Sequence, residues 1–139
     1  MEAENGVTLE ELTKKMAVFG EERGWIDFHT PRNLLLAMVG EMGELSEIFQ
    51  WKGEVPRGLS GWDEQTKLHL GEELSDVLLY LVQLSDACGI DLGKAALRKI
   101  QLNAIKYPVH LNADNKQSSP SDTAPQPDTE EESGMGKNI

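Results

Sequence analysis

Four acidic residues stand where helical periodicity asks for apolar ones. Over residues 31–51, Leu34, Met38, Leu45, Ile48 and Phe49 recur at helical spacing and draw one apolar face. Glu41 falls inside that arc, between Met38 at i−3 and Leu45 at i+4. Glu44 follows three residues later at the edge of the same face, whereas Glu47 falls on the polar side. The pattern returns downstream, where Glu73 and Asp76 are again three apart, beside Leu70, Val77, Tyr80 and Leu84. Carboxylates on apolar faces repel one another, and burying unpaired charge costs several kcal/mol per ion, an order-of-magnitude figure. A cation among them removes both penalties. Ligation by oxygen alone favours a hard ion, Mg²⁺ or Mn²⁺. A di-iron centre would need Glu-x-x-His pairs, and none of His29, His69 or His110 supplies that spacing. Gly40 and Gly43 each cost roughly 1 kcal/mol relative to alanine inside a helix. Close approach of a neighbouring helix or a ligand would explain them.

The elements that must position these acids read as helices. Thr8 and Glu11 match a capping box, and Leu9, Leu12, Met16 and Phe19 form a stripe behind it, in a helix ending near Gly24. Thr30-Pro31 starts a second helix, which runs to about Trp51. Residues 53–61 hold three glycines and a proline and read as a loop. Asp63 caps a third helix that stops before Gly89. Asp91 caps a fourth, through to about Tyr107, stopped by Pro108. The expectation is an all-α unit of four helices over residues 1–112. Consecutive long helices joined by a short loop pack antiparallel, which brings Glu41, Glu44, Glu73 and Asp76 together.

Charge and composition exclude other classes. The 139 residues carry 13 Lys+Arg against 24 Asp+Glu, a net charge of −11. Phosphate-backbone binding needs clustered cations, so a nucleic acid polymer and an anionic membrane surface are poor partners. No apolar run approaches the ~18 residues of a membrane span. The single cysteine, Cys88, cannot pair within the chain, and the N-terminus has neither a basic n-region nor an apolar h-region. The expected setting is therefore cytoplasmic. Residues 113–139 hold three of the six prolines, six acids and two lysines, with no leucine or aromatic residue. That composition reads as a disordered acidic tail. Cys88 and His69 read as ordinary structural residues.

The spacing Glu41-x-x-Glu44, then 28 residues, then Glu73-x-x-Asp76 resembles the signature of the all-α NTP pyrophosphatase superfamily, the MazG-like and dimeric dUTPase relatives. The stretches PRNLLLAMVGEMGELSEIFQWK, GEELSDVLLYLVQLSDACGIDL and NAIKYPVHL are similar to the dCTP pyrophosphatases within it. The likeness spans roughly residues 8–111. It implies a MazG-like, four-helix-bundle-type fold. It also implies hydrolysis of dCTP or a 5-modified dCTP to dCMP and pyrophosphate, with Mg²⁺ held by Glu41, Glu44, Glu73 and Asp76. Such an activity cleans the nucleotide pool. The base contacts implied are Trp25, His29, Trp51 and Tyr80, since aromatic faces stack on bases. Lys99, Asn103 and Lys106 share one face of the fourth helix, followed by Tyr107, and the likeness places phosphate contacts there. Arg32 is a further candidate. A member of the family carries a histidine where this chain has Met16, which leaves His29 as the more important polar group beside the base. The relatives assemble as dimers, or as tetramers built from two dimers, and a homo-oligomer suits a core of this size. The alternative readings are a non-catalytic helical interaction module whose acid cluster is structural and binds no substrate, and an NTP pyrophosphatase of different base preference.

Overall fold

The structure, a computed structural model, describes residues 6–109. The expected tail, residues 113–139, lies outside them, as does His110. Four helices follow in chain order: α1 over Leu9–Glu22, α2 over Pro31–Phe49, α3 over Glu64–Ala87 and α4 over Leu92–Lys106. Among the described residues there is no strand.

The helix ends follow the local chemistry. The Glu11 N–H donates to Thr8 Oγ1 at 3.1 Å and the Thr8 N–H donates back to Glu11 Oε2 at 2.8 Å, a complete capping box. The Thr30, Asp63 and Asp91 side chains accept from Asn33, Thr66 and Lys94 at the starts of α2, α3 and α4. Gly24 and Gly89 follow the caps of α1 and α3 with φ of 66° and 64°. The Trp25 N–H reaches Gly20 O and the Ile90 N–H reaches Ser85 O, both at 2.9 Å, so each helix closes in a Schellman turn. The Trp25–His29 turn then folds back on α1. A Cβ on Gly20 would meet Ile26 Cδ1 at 3.3 Å and His29 Nδ1 at 3.5 Å, so a larger residue there would push the Ile26 side chain back by a few tenths of an ångström.

α3 is the central element, packed along α2 and also against α1. Leu34 faces the Gln83–Ala87 end of α3, whereas Glu44 and Ile48 face Thr66–Glu73, so α2 and α3 run antiparallel. Leu34, Leu70 and Val82 form the buried core. After α2, Trp62 folds back onto the helix end, its ring 5.4 Å from Phe49 and under Lys52 Nζ at 4.5 Å.

Two expectations need adjusting. Gly40 and Gly43 have nothing within 4 Å of an added Cβ, so no neighbouring helix among the described residues explains them. α4 is the loosest of the four helices: none of its residues is buried, and Leu97, Ile100 and Ile105 are 65%, 64% and 78% exposed.

Candidate metal centre and adjoining cleft

The antiparallel pairing sets the middle of α2 against the first half of α3. Glu41, Glu73 and Asp76 each offer a carboxylate oxygen, and the three atoms lie within 4.8 Å of one another. Glu73 is buried, at 7% exposure, Glu41 is half-buried and Asp76 is exposed. Glu73 Oε1 lies 3.5 Å from His69 Nδ1, while its buried Oε2 has no hydrogen-bond partner among the described residues. Burial pushes the Glu41 carboxyl above its ordinary range, and the charges of Asp76, Glu44 and Glu73 push it further. A buried carboxylate oxygen without a donor costs free energy unless something positive meets it. The donor set is all oxygen and acidic, and it fits a hard divalent cation.

Of the four acids expected together, the structure gathers three into one cluster. Glu44 is exposed and stands beside them, in a depression it shares with Lys52, Thr66, His69 and Glu73. Its charge still acts on Glu41. Glu47 is exposed, as its place on the polar side requires.

The residues expected at the base fall into two groups. Tyr80 is half-buried on α3, one turn beyond Asp76. Trp25 and His29 lie on the α1–α2 connection with rings 5.8 Å apart. His29 and Met16 line a cleft of about 410 Å³ between α1, the start of α2 and the end of α3. Trp51, by contrast, is 87% exposed, because α2 ends at Phe49 and Trp51 lies in the following turn. Lys99, Asn103, Lys106 and Tyr107 are all exposed. Lys106 Nζ lies 5.1 Å from the centre of the Tyr107 ring, and neither Lys99 nor Lys106 forms an ion pair among the described residues.

Three further residues stand beside the cluster or in the cleft. His69, expected as a structural residue, stands beside the cluster, its Nδ1 3.8 Å from Glu72 and 3.5 Å from Glu73. The i, i+4 spacing of His69 and Glu73 was the available signal. Gln83 and Asp86 line the cleft. Both sit seven or more residues from the acidic motif, where spacing alone offers no warning.

Comparison with known proteins sharpens this picture. The sequence profile of the MazG-like family matches residues 37–120. The chain is 52% identical to dCTP pyrophosphatase 1 of Homo sapiens over 104 residues, covering 75% of this chain and 61% of that protein. The Rattus norvegicus dCTP pyrophosphatase 1 is 50% identical over 105 residues, covering 76% of this chain and 62% of that protein. The chain thus spans less than two thirds of the length of these curated relatives. A pyrophosphatase from Archaeoglobus fulgidus has a similar structure, with a TM-score of 0.59 and 32% sequence identity, covering 78% of this chain and 100% of that one. With the paired acidic motif carried on adjoining antiparallel helices and the profile matching more than half its length, the chain belongs to the MazG-like family.

Proposed function

We propose that this chain hydrolyses dCTP, or a 5-substituted dCTP, to dCMP and pyrophosphate with a divalent cation, Mg²⁺ or alternatively Mn²⁺, and so removes such nucleotides from the pool. The observation that carries this reading is the unpartnered, buried Oε2 of Glu73 inside a three-carboxylate cluster. Glu41, Glu73 and Asp76 would hold the cation, with Glu44 completing the set. When bound, it would neutralise phosphate charge and polarise the phosphoryl oxygens. Without it, a triphosphate would meet only carboxylates on a protein of net charge −11.

The chain's own groups supply binding and orientation. Tyr80, one turn from Asp76, marks the direction from phosphates towards base. Trp25, His29 and Trp51 supply stacking faces and one polar edge. Lys99, Asn103, Lys106 and Tyr107 supply phosphate contacts, delivered by association of chains. The exposed Leu97, Ile100 and Ile105 of α4 and Leu35, Leu36 and Val39 of α2 support a homo-oligomer, a dimer or a dimer of dimers. In this reading residues 1–112 are the catalytic unit and 113–139 a tail outside it, in a cytoplasmic protein. No helix of the described residues is long and apolar enough to cross a membrane.

The test is pyrophosphate release from dCTP, 5-methyl-dCTP, dUTP, dTTP and dATP, with Mg²⁺ and with chelator. A cytosine nucleotide is expected to have the highest kcat/KM, and chelator to abolish release. If dUTP or dATP exceeds both cytosine nucleotides by about tenfold, roughly 1.4 kcal/mol, the base assignment is wrong and pyrophosphohydrolysis stands. No release from any nucleotide would favour the interaction module.

A further inference from the structure

The cleft beside His29 has a chemical bias of its own. Its apolar walls are Met16, Ala17, Ile26 and Leu34, and its volume of about 410 Å³ lies in the range of small-molecule sites. Its polar lining holds His29 and, besides it, a set of groups that present oxygen acceptors. Thr13 lines it, but the Thr13 hydroxyl donates its only hydrogen to Leu9 O at 2.8 Å, so only lone pairs remain. The Gln83 amide nitrogen donates to Leu79 O at 3.0 Å. That bond fixes which end of the amide faces its own backbone, and Oε1 has no donor among the described residues. Asp86 and Glu21 add carboxylates.

The cleft is also in register with the acids. Asp76 and Gln83 are two turns apart on one side of α3, about 10 Å along the axis, with Tyr80 between them. That is the extended reach from a nucleotide's phosphates to its base.

We propose that Gln83, with Asp86, selects the base by accepting a hydrogen bond from an exocyclic amine, and so discriminates against bases with a carbonyl in that place. The inference rests on the reading that a nucleotide binds with its phosphates at the carboxylates. A carboxylate or amide oxygen accepts from the cytosine 4-amino group, whereas the O4 of uracil or thymine presents a second acceptor and leaves both oxygens unpaired. Stacking on Trp25 tolerates any base, so edge contacts of this kind are what distinguish one pyrimidine from another.

The test titrates the full chain, with Mg²⁺ present, with dCMP and dUMP, which have no pyrophosphate to lose. The wild type is expected to bind dCMP about tenfold more tightly than dUMP, the worth of one good hydrogen bond. Gln83→Leu is expected to bring the two affinities together by weakening dCMP alone, with dUMP binding as the control for folding. Gln83→Glu retains an acceptor and keeps the preference. Equal affinities in the wild type, an unchanged ratio in Gln83→Leu, or equal weakening of both ligands would each overturn the assignment. Loss of the proposed activity reads differently: no pyrophosphate is released from any triphosphate, while the Gln83-dependent ratio persists.

Discussion

The α2–α3 pair and α4 are built from the same ingredients and end in opposite states. Both are capped, amphipathic and rich in leucine. The α2–α3 pair closes on itself, buries Leu34, Leu70 and Val82, and carries Glu73 into the interior with them. α4 buries nothing and leaves Leu97, Ile100 and Ile105 in solvent with its lysines. The difference teaches that one chain by itself gathers three of the four expected acids. The expected cations are displayed on a helix whose apolar face has no cover among the described residues.

That contrast can be broken by substitution. The largest effect is expected on the α2–α3 side. Glu41→Gln, Glu73→Gln and Asp76→Asn should each lower Mg²⁺-dependent kcat at least ~100-fold, about 2.7 kcal/mol of transition-state stabilisation, while circular dichroism stays helical. Glu44→Gln should follow them less severely, because Glu44 stands outside the three-oxygen cluster. Retained activity in any two of the four would end the metal assignment.

A smaller effect is expected on α4. Lys99→Ala and Lys106→Ala should each lower kcat/KM about tenfold, near 1.4 kcal/mol. Ile100→Glu should reduce the molecular mass in solution and the activity together, because a charge on that face opposes burial against a second chain. If Ile100→Glu leaves mass and turnover unchanged, α4 is a free helix and its lysines serve no site. The smallest effect is expected at Trp51. Trp51→Ala should raise KM for dCTP several-fold and change kcat less, as removal of a stacking contact does.

The helices were legible because their signals are local. Thr8 with Glu11, Thr30-Pro31, Asp63 and Asp91 are caps whose chemistry operates within four residues, and observed ends fall within about two residues of those expected. The acids were legible for a different reason. Glu41 and Glu73 violate the apolar periodicity around them, and a charge on a buried stripe needs a counter-charge wherever the helices pack. The cleft was not legible. Gln83 and Asp86 look like ordinary surface positions near a helix end, and the fold-back of Trp25–His29 onto Gly20 is what makes them line a cleft. The isolation of α4 was not legible either, because an amphipathic stripe specifies that a face is to be covered but not by which chain.

The most direct test of the account is the melting temperature of the wild type and of Glu41→Gln, with and without Mg²⁺, across pH. The Glu41 carboxyl is held above its ordinary value of 4.5, so the folded metal-free chain binds that proton more tightly than the unfolded one. Its stability therefore falls as pH rises through and above that value, and ionised Glu41 is a burden at neutral pH. The account predicts that metal-free Glu41→Gln melts above metal-free wild type at neutral pH, and that this gap closes towards pH 4. It also predicts that Mg²⁺ raises the wild-type melting temperature by linkage and leaves Glu41→Gln nearly unmoved. Wild type that melts at the same temperature with and without Mg²⁺, and above Glu41→Gln in both, would contradict it.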